Sequence, residues 1–277
     1  MFARMRYENK RSFSNHKPDN GNASDRNKPE PKNTIYGMHA ILEALDGGAE
    51  LNKIIIQKGL SKSDESEEIV KRAKHRQVPV QFVPRETSLF PSNKNHQGVM
   101  AFMSPITYYK IENLLPQLFE QGKTPFILVL DRITDVRNFG AIARSAFCGG
   151  VHAIIVPESG AAQVTEDAVK TSAGALLKIP VCREQNMKTT MELLNQSGIT
   201  TVACTEKANK DLPFVDLSGP IALILGSEED GISPDIIRRA SQMVKIPLAM
   251  GVGSLNVSVA AGIAIYETVR QRLVLTH

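Results

Sequence analysis

The chain has no apolar stretch near the ~20 residues needed to span a bilayer. Its N-terminus carries basic residues with no apolar segment behind them, which is not the pattern of a secretory leader. These two absences lead us to expect a protein that is neither membrane-bound nor secreted. Cysteine is equally scarce: Cys148, Cys182 and Cys204 are odd in number, far apart and without metal-type spacing. They are expected to be ordinary reduced thiols of a cytoplasmic protein. No His/Cys/Asp cluster with ligand spacing is present, so no metal is expected. What is present is 277 residues with 42% hydrophobic content, enough for two modest domains with real cores. The default class is a soluble globular enzyme.

The formal charge of +4 is unevenly distributed. Residues 1–34 hold eight Lys/Arg against four Asp/Glu, whereas residues 35–277 hold 25 of each sign. The folded part is therefore net neutral. The tail is poor in aliphatic residues and rich in Asn, Lys, Pro and Ser, so it is expected to be disordered. A flexible basic arm suits nucleic acid, whose binding is dominated by phosphate charge, and equally serves as a solubilising tail.

From Ile35 the pattern predicts an α/β unit to residue 105: helix IYGMHAILEAL, strand LNKIIIQKG, charged helix SDESEEIVKRAKHR capped by Ser63 or Asp64, and strands VPVQFV and QGVMAFM. Residues 106–124, with IENLLPQLFEQG, read as a linker helix. From residue 125 strands and helices alternate strictly, and the strands are nearly all apolar. That predicts a parallel sheet covered on both faces, with ligands at the C-terminal ends of its strands.

Three strand-end loops carry unusual residues. After FILVLD, Asn138 stands before a predicted helix, where an N-cap is its simplest role. Arg144 lies on that helix among small and apolar neighbours; it either reaches solvent or a structural carboxylate, or meets a phosphate or carboxylate in a cleft. After IALILG, Gly226 is followed by Glu228, Glu229 and Asp230 in one tight turn. One acid would suffice near a helix N-terminus, so a cationic ligand or an internal Arg partner is expected for at least one more. The third loop, IPLAMGVGSLNVSV, resembles a dinucleotide fingerprint with Asn256 in place of the third Gly. Only 21 residues follow Asn256, too few for the rest of a βαβ unit, which weighs against a nicotinamide-dependent oxidoreductase.

Taken together, NFGAIARSA, LILGSEEDGI and IPLAMGVGSLNVSVAAG resemble the three ordered motifs of the SpoU/TrmH family of RNA 2′-O-methyltransferases, within the SPOUT superfamily. IYGMHAILEAL and NHQGV resemble the N-terminal substrate-binding domain of two-domain members, and the nearest resemblance is to those that methylate a guanosine of 23S rRNA. The resemblance implies a trefoil knot in the C-terminal domain, a homodimer with its active site near the subunit interface, RNA as substrate, and S-adenosylmethionine (SAM) as methyl donor without a metal. Carried onto this chain, it implies backbone contacts to SAM at Gly226, Ile246 and Leu255, and catalytic polar residues at Asn138, Arg144, Glu228, Ser254 and Asn256. Glu228 is expected to pair with Arg144 or to orient the first loop. Where relatives often carry Asp-Pro before the first helix, this chain has Asp135, Val136 and Arg137. The implied organisation is a tail (1–34), an RNA substrate-binding domain (35–105), a linker (106–124) and a SAM-binding methyltransferase domain (125–277). The competing expectations are a tRNA ribose methyltransferase and a non-catalytic RNA-binding ribosome-assembly factor.

Overall fold

The computed structural model describes residues 33–60, 63–249 and 254–274. Nearly all of the basic tail lies outside the described residues, as do Met250–Gly253 of the third loop. Thr34 already belongs to a strand.

The first layer is a four-stranded sheet, β1 (Thr34–Tyr36), β2 (Leu51–Gln57), β3 (Val80–Val83) and β4 (Val99–Met103), in the order β1-β4-β2-β3. Strand β4 runs antiparallel to β1 and β2, and β2 is parallel to β3. Ile35 and Tyr36 are strand rather than the start of the expected helix, because Gly37 at φ 90° turns the chain before α1 (Met38–Asp46) begins. Alternation along β2 sends Ile54 and Ile56 to the face covered by the helices and Ile55 to the other. Helix α2 (Asp64–His75) buries Ser66, Ile69 and Ala73 at helical spacing. Its cap is Ser63, whose side chain accepts from the backbone N–H of Ser66 at 3.3 Å. Each fully buried Ile in this core contributes roughly 1.5–3 kcal/mol.

The second layer is a seven-stranded sheet in which every neighbouring pair is parallel. Its strands are β5 (Tyr108–Tyr109), β6 (Phe126–Asp131), β7 (Ala153–Pro157), β8 (Val181–Glu184), β9 (Thr200–Cys204), β10 (Ile221–Gly226) and β11 (Gln242–Val244). They lie in the order β11-β9-β10-β6-β7-β8-β5. Central strand β6 is buried along its length and alternates Phe126, Leu128 and Leu130 into one core with Ile127 and Val129 into the other. Two-sided burial is what its unbroken apolar run requires.

The segment read above as a linker helix contains β5, which pairs with β8, and α3 (Ile111–Glu120), which buries Ile111, Leu115 and Leu118. Helix α4 (Val136–Cys148) follows β6, and α5 (Glu166–Thr171) follows β7. The stretch TEDAVKTSAGALL is α-helical only to Thr171, since Ala173 (φ 51°) and Gly174 (φ 82°) are left-handed and a 3-10 turn takes over at Ala175–Leu177. Helix α6 (Met187–Gln196) follows β8 as expected. After β10, α7 is a single turn, Pro234–Ile237, and α8 (Val257–Val274) closes the described chain.

The pairing of β10 with β6 puts Gly226 opposite Asp131, so the first two candidate loops leave the sheet side by side. A Cβ at Gly226 would lie 2.1 Å from the carbonyl carbon of Gly231 and 2.2 Å from the amide nitrogen of Ile232, because the acidic turn folds back onto the strand. Backbone cannot yield there as a flexible side chain would. Gly226→Ala is expected to destabilise the protein by about 3 kcal/mol or more, the upper range for overpacking. A urea-unfolding midpoint within error of the parent would refute that packing argument.

Candidate active site

Asp131 at the end of β6 is only 3% exposed, and its carboxylate accepts from the backbone N–H of Ser233 at 2.6 Å. The next residue, Arg132, sits at φ 58°, a left-handed conformation that costs an L-residue roughly 1–2 kcal/mol. Its guanidinium offsets this by donating to Asp131 at 3.3 Å, to Asp230 at 3.2 Å and to the carbonyl of Gly231 at 3.2 Å. The internal cation expected for the acidic turn is therefore Arg132, and it takes Asp230. Hydrogen bonding to Asp131, with the nearby charge of Asp230, raises the Arg132 pKa against a smaller opposing effect of burial.

Helix α4 begins at Val136, two residues before Asn138. Its N-cap is Asp135, whose carboxylate accepts from the amides of Arg137 at 2.7 Å and Asn138 at 2.8 Å. The capping role expected of Asn138 is thus filled by Asp135, and the Asn138 side chain is turned to the other loops. It donates to Glu228 at 3.0 Å and accepts from Asn256 at 3.2 Å, while Asn256 donates to Glu228 at 2.7 Å. One residue from each loop closes this ring. The free oxygen of Asn256 accepts from the backbone N–H of Ser258 at 2.9 Å, capping the start of α8. Glu228 consequently orients the first loop and does not pair with Arg144.

Beside this ring lies a cavity of about 530 Å³. Gly226, Glu228, Ile246, Ser254, Leu255 and Asn256 all line it. A smaller cavity of about 230 Å³ shares the turn 227–230 and is lined by Arg132, Asp135 and Asn138. Arg144 lines neither. It is exposed on α4 and makes no hydrogen bond or ion pair among the described residues. Glu206, Glu228, Glu229 and Asp230 surround the larger cavity against the single cation Lys207, a balance suited to a cationic ligand. Cys204 also lines it, but burial pushes its pKa up to about 12 and keeps the thiol protonated at neutral pH. Among the described residues no group of three or more His, Cys, Asp or Glu could hold a metal ion.

The model of the SpoU rRNA methylase family matches residues 125–266, and that of the RNA 2′-O ribose methyltransferase substrate-binding domain matches residues 34–109. The chain belongs to the SpoU rRNA methylase family. YacO of Bacillus subtilis, named provisionally as a TrmH family tRNA/rRNA methyltransferase, is 33% identical over 238 residues, 86% of this chain and 95% of its own. A Staphylococcus aureus protein of the same description is 36% identical over 239 residues, 86% of this chain and 96% of its own. In fold, the chain is similar to the SpoU methyltransferase AviRb of Streptomyces viridochromogenes solved with AdoMet. That match has a TM-score of 0.56 at 23% identity and covers 87% of this chain and 90% of AviRb. The AdoMet-bound rRNA methyltransferase of Sinorhizobium meliloti gives a TM-score of 0.55 at 24% identity, covering 86% of each chain.

Sequence reasoning left out Arg132, Asp131 and Asp135. Asp135 had a legible signal, a carboxylate placed to cap the amides two and three residues on; Asp131 and Arg132 look like the end of a strand until β10 is placed beside β6.

Because Asn256 serves both the cap and the ring, the two duties separate by substitution. Asn256→Ser keeps a capping oxygen and is expected within about 0.5 kcal/mol of the parent, whereas Asn256→Ala loses about 1 kcal/mol. Thermal unfolding of both variants reads this difference, and equal losses would remove the capping role.

Proposed function

We propose that this chain transfers the methyl group of SAM to a ribose 2′-oxygen of structured RNA, a guanosine of 23S rRNA being the favoured target. The observation that carries the reading is the ring of Asn138, Glu228 and Asn256, which gathers three loops beside an acidic cavity of about 530 Å³. That volume lies within the roughly 300–1,000 Å³ of small-ligand sites. The sulfonium and amino group of SAM are cationic, and the carboxylate-rich lining suits them. Gly226, Ile246 and Leu255 would meet the cofactor with backbone groups, and Ser254 and Asn256 would hold the third loop across it. The cofactor-bound neighbours AviRb and the Sinorhizobium meliloti enzyme support the same cofactor here.

The reaction is an in-line displacement, in which SAM supplies the electrophilic methyl carbon and the protein places a ribose oxygen behind it. Much of the rate can come from that placement. A guanidinium is a cation suited to holding anions and a poor base, so Arg144 is assigned to the neighbouring phosphate and to the negative charge that develops on the 2′-oxygen. The 2′-hydroxyl proton passes to phosphate or water.

Arg144 stands outside the cavity of its own chain, on an exposed stretch of α4. Helix α8, which packs against α4, leaves Val259, Ile263 and Tyr266 50%, 40% and 69% exposed. An apolar row of this kind supports a homodimer through these helices, with Arg144 brought to a site near the interface. The C-terminal trefoil knot and the cytoplasmic location belong to the same reading, as do the roles of residues 35–105 in holding RNA and of 125–277 in holding SAM.

Arg144→Ala is expected to abolish methyl transfer and to leave SAM affinity within about twofold, because its assigned contacts are to RNA and to the developing charge and it does not line the cofactor cavity. Normal turnover in this variant would sink the assignment. The target is read by mapping 2′-O-methyl positions in total RNA from cells with and without the gene. Loss at one 23S guanosine is the expected result, and loss at a tRNA position instead would replace 23S rRNA with tRNA.

A further inference from the structure

We propose that Asn52, Tyr108 and Arg183 are positioning residues that lock the four-stranded sheet at one orientation to the cofactor cavity, so that RNA is selected by the distance between them. The RNA part of this inference rests on the function proposed above; the lock itself does not.

The connection between the two sheets is short. Strand β4 ends at Met103 and β5 begins at Tyr108, so only residues 104–107 join them. Four residues reach at most about 14 Å. Tyr108 is registered against Val181 and Tyr109 against Cys182, which builds the end of this connection into the large sheet.

A β-bulge supplies the second element. The register between β2 and β4 shifts between Leu51 and Lys53, and the residue so displaced is Asn52. Bulges re-aim side chains. Asn52 is 3% exposed and faces the other sheet, donating to the carbonyl of Val164 at 2.8 Å and accepting from the Tyr108 hydroxyl at 2.8 Å. Its own carbonyl accepts from Gln163 at 3.3 Å.

Arg183 is the third element. It is 7% exposed, donates to the carbonyl of Leu51 at 3.0 Å and stacks with its guanidinium carbon 4.0 Å from the centre of the Tyr108 ring. No carboxylate lies within salt-bridge distance of it among the described residues. Burial lowers its pKa, and the negative charges of Glu50 and Glu158 oppose that shift. A buried guanidinium held by one carbonyl and one ring face is costly to expose or re-pair, so the sheets cannot slide without losing both contacts.

Adhesion alone would be served by apolar side chains, which tolerate many packings. Directional groups satisfied in one geometry specify an angle as well as a contact. None of the three residues lines either cavity at the active site, so their influence on the reaction runs through orientation alone.

The test uses the full chain carrying Cys148→Ser, with spin labels at Lys71→Cys on α2 and Lys188→Cys on α6; the Cys148→Ser chain without them measures background labelling. With the labelled chain diluted into an excess of unlabelled chain, so that a homodimer carries at most one labelled protomer, electron–electron double resonance is expected to give one narrow distance. Arg183→Met, and Asn52→Ala combined with Tyr108→Phe, are expected to broaden it while SAM affinity stays within about twofold. Should either variant fail to fold, Tyr108→Phe alone, which removes one oxygen, carries the same expectation. With rRNA from cells lacking the gene, the KM for RNA is expected to rise about tenfold with kcat within about threefold, the pattern of lost uniform binding. A broad distribution in the parent, an unchanged width in the variants, or an unchanged KM despite broadening would each overturn the inference. If the parent methylates no RNA, the proposed function fails, and filter binding of the same rRNA replaces KM in deciding the lock.

Discussion

The parallel pairing of β10 with β6 is the constraint on which the site depends. It ends both strands at one level, with Gly226 opposite Asp131. Asp131 is buried at that point, and its carboxylate binds the amide of Ser233 on the far side of the acidic turn. The exit of the second loop is thereby tied to the entrance of the first. An unpaired buried carboxylate would be unstable there, so the tie is one the fold cannot drop without cost.

The remaining polar contacts build outward from it. Arg132 accepts a left-handed backbone and in return spans Asp131, Asp230 and Gly231. With Asp230 occupied, Glu228 is left to receive Asn138 and Asn256. The third loop is then anchored twice, through the ring and through the cap that Asn256 provides to α8. Neighbouring acids with different partners explain how three carboxylates share one turn. The positions of Asn138, Glu228 and Asn256 are therefore set by packing and hydrogen bonds of the scaffold.

The two sheets divide the work differently. The large one gathers the three candidate loops at its strand ends and leaves Arg144 exposed on α4. The small one is joined to it by a short connection and a buried polar cluster at Asn52, Tyr108 and Arg183.

Much of this was legible in the chain itself. Unbroken apolar runs such as FILVLD and IALILG specify buried parallel strands because both faces must be covered, and six of the eight candidate site residues line one cavity. Local pattern also gave Ser63 as a possible cap and asked for a cationic ligand or an internal arginine at the acidic turn; the arginine it named for Glu228 was Arg144, whereas Arg132 meets the turn through Asp230. What it could not give was partnership across the chain. Asn138 looked like a cap because sequence shows only neighbours; Asp135 holds that place, and its actual partners are 90 and 118 positions away. Residues 106–124 looked like a connector because two tyrosines do not announce a strand until β8 is there to pair with them. Local periodicity and capping chemistry determined the elements. Long-range registration of strands, which depends on how distant surfaces close on one another, decided which side chains meet.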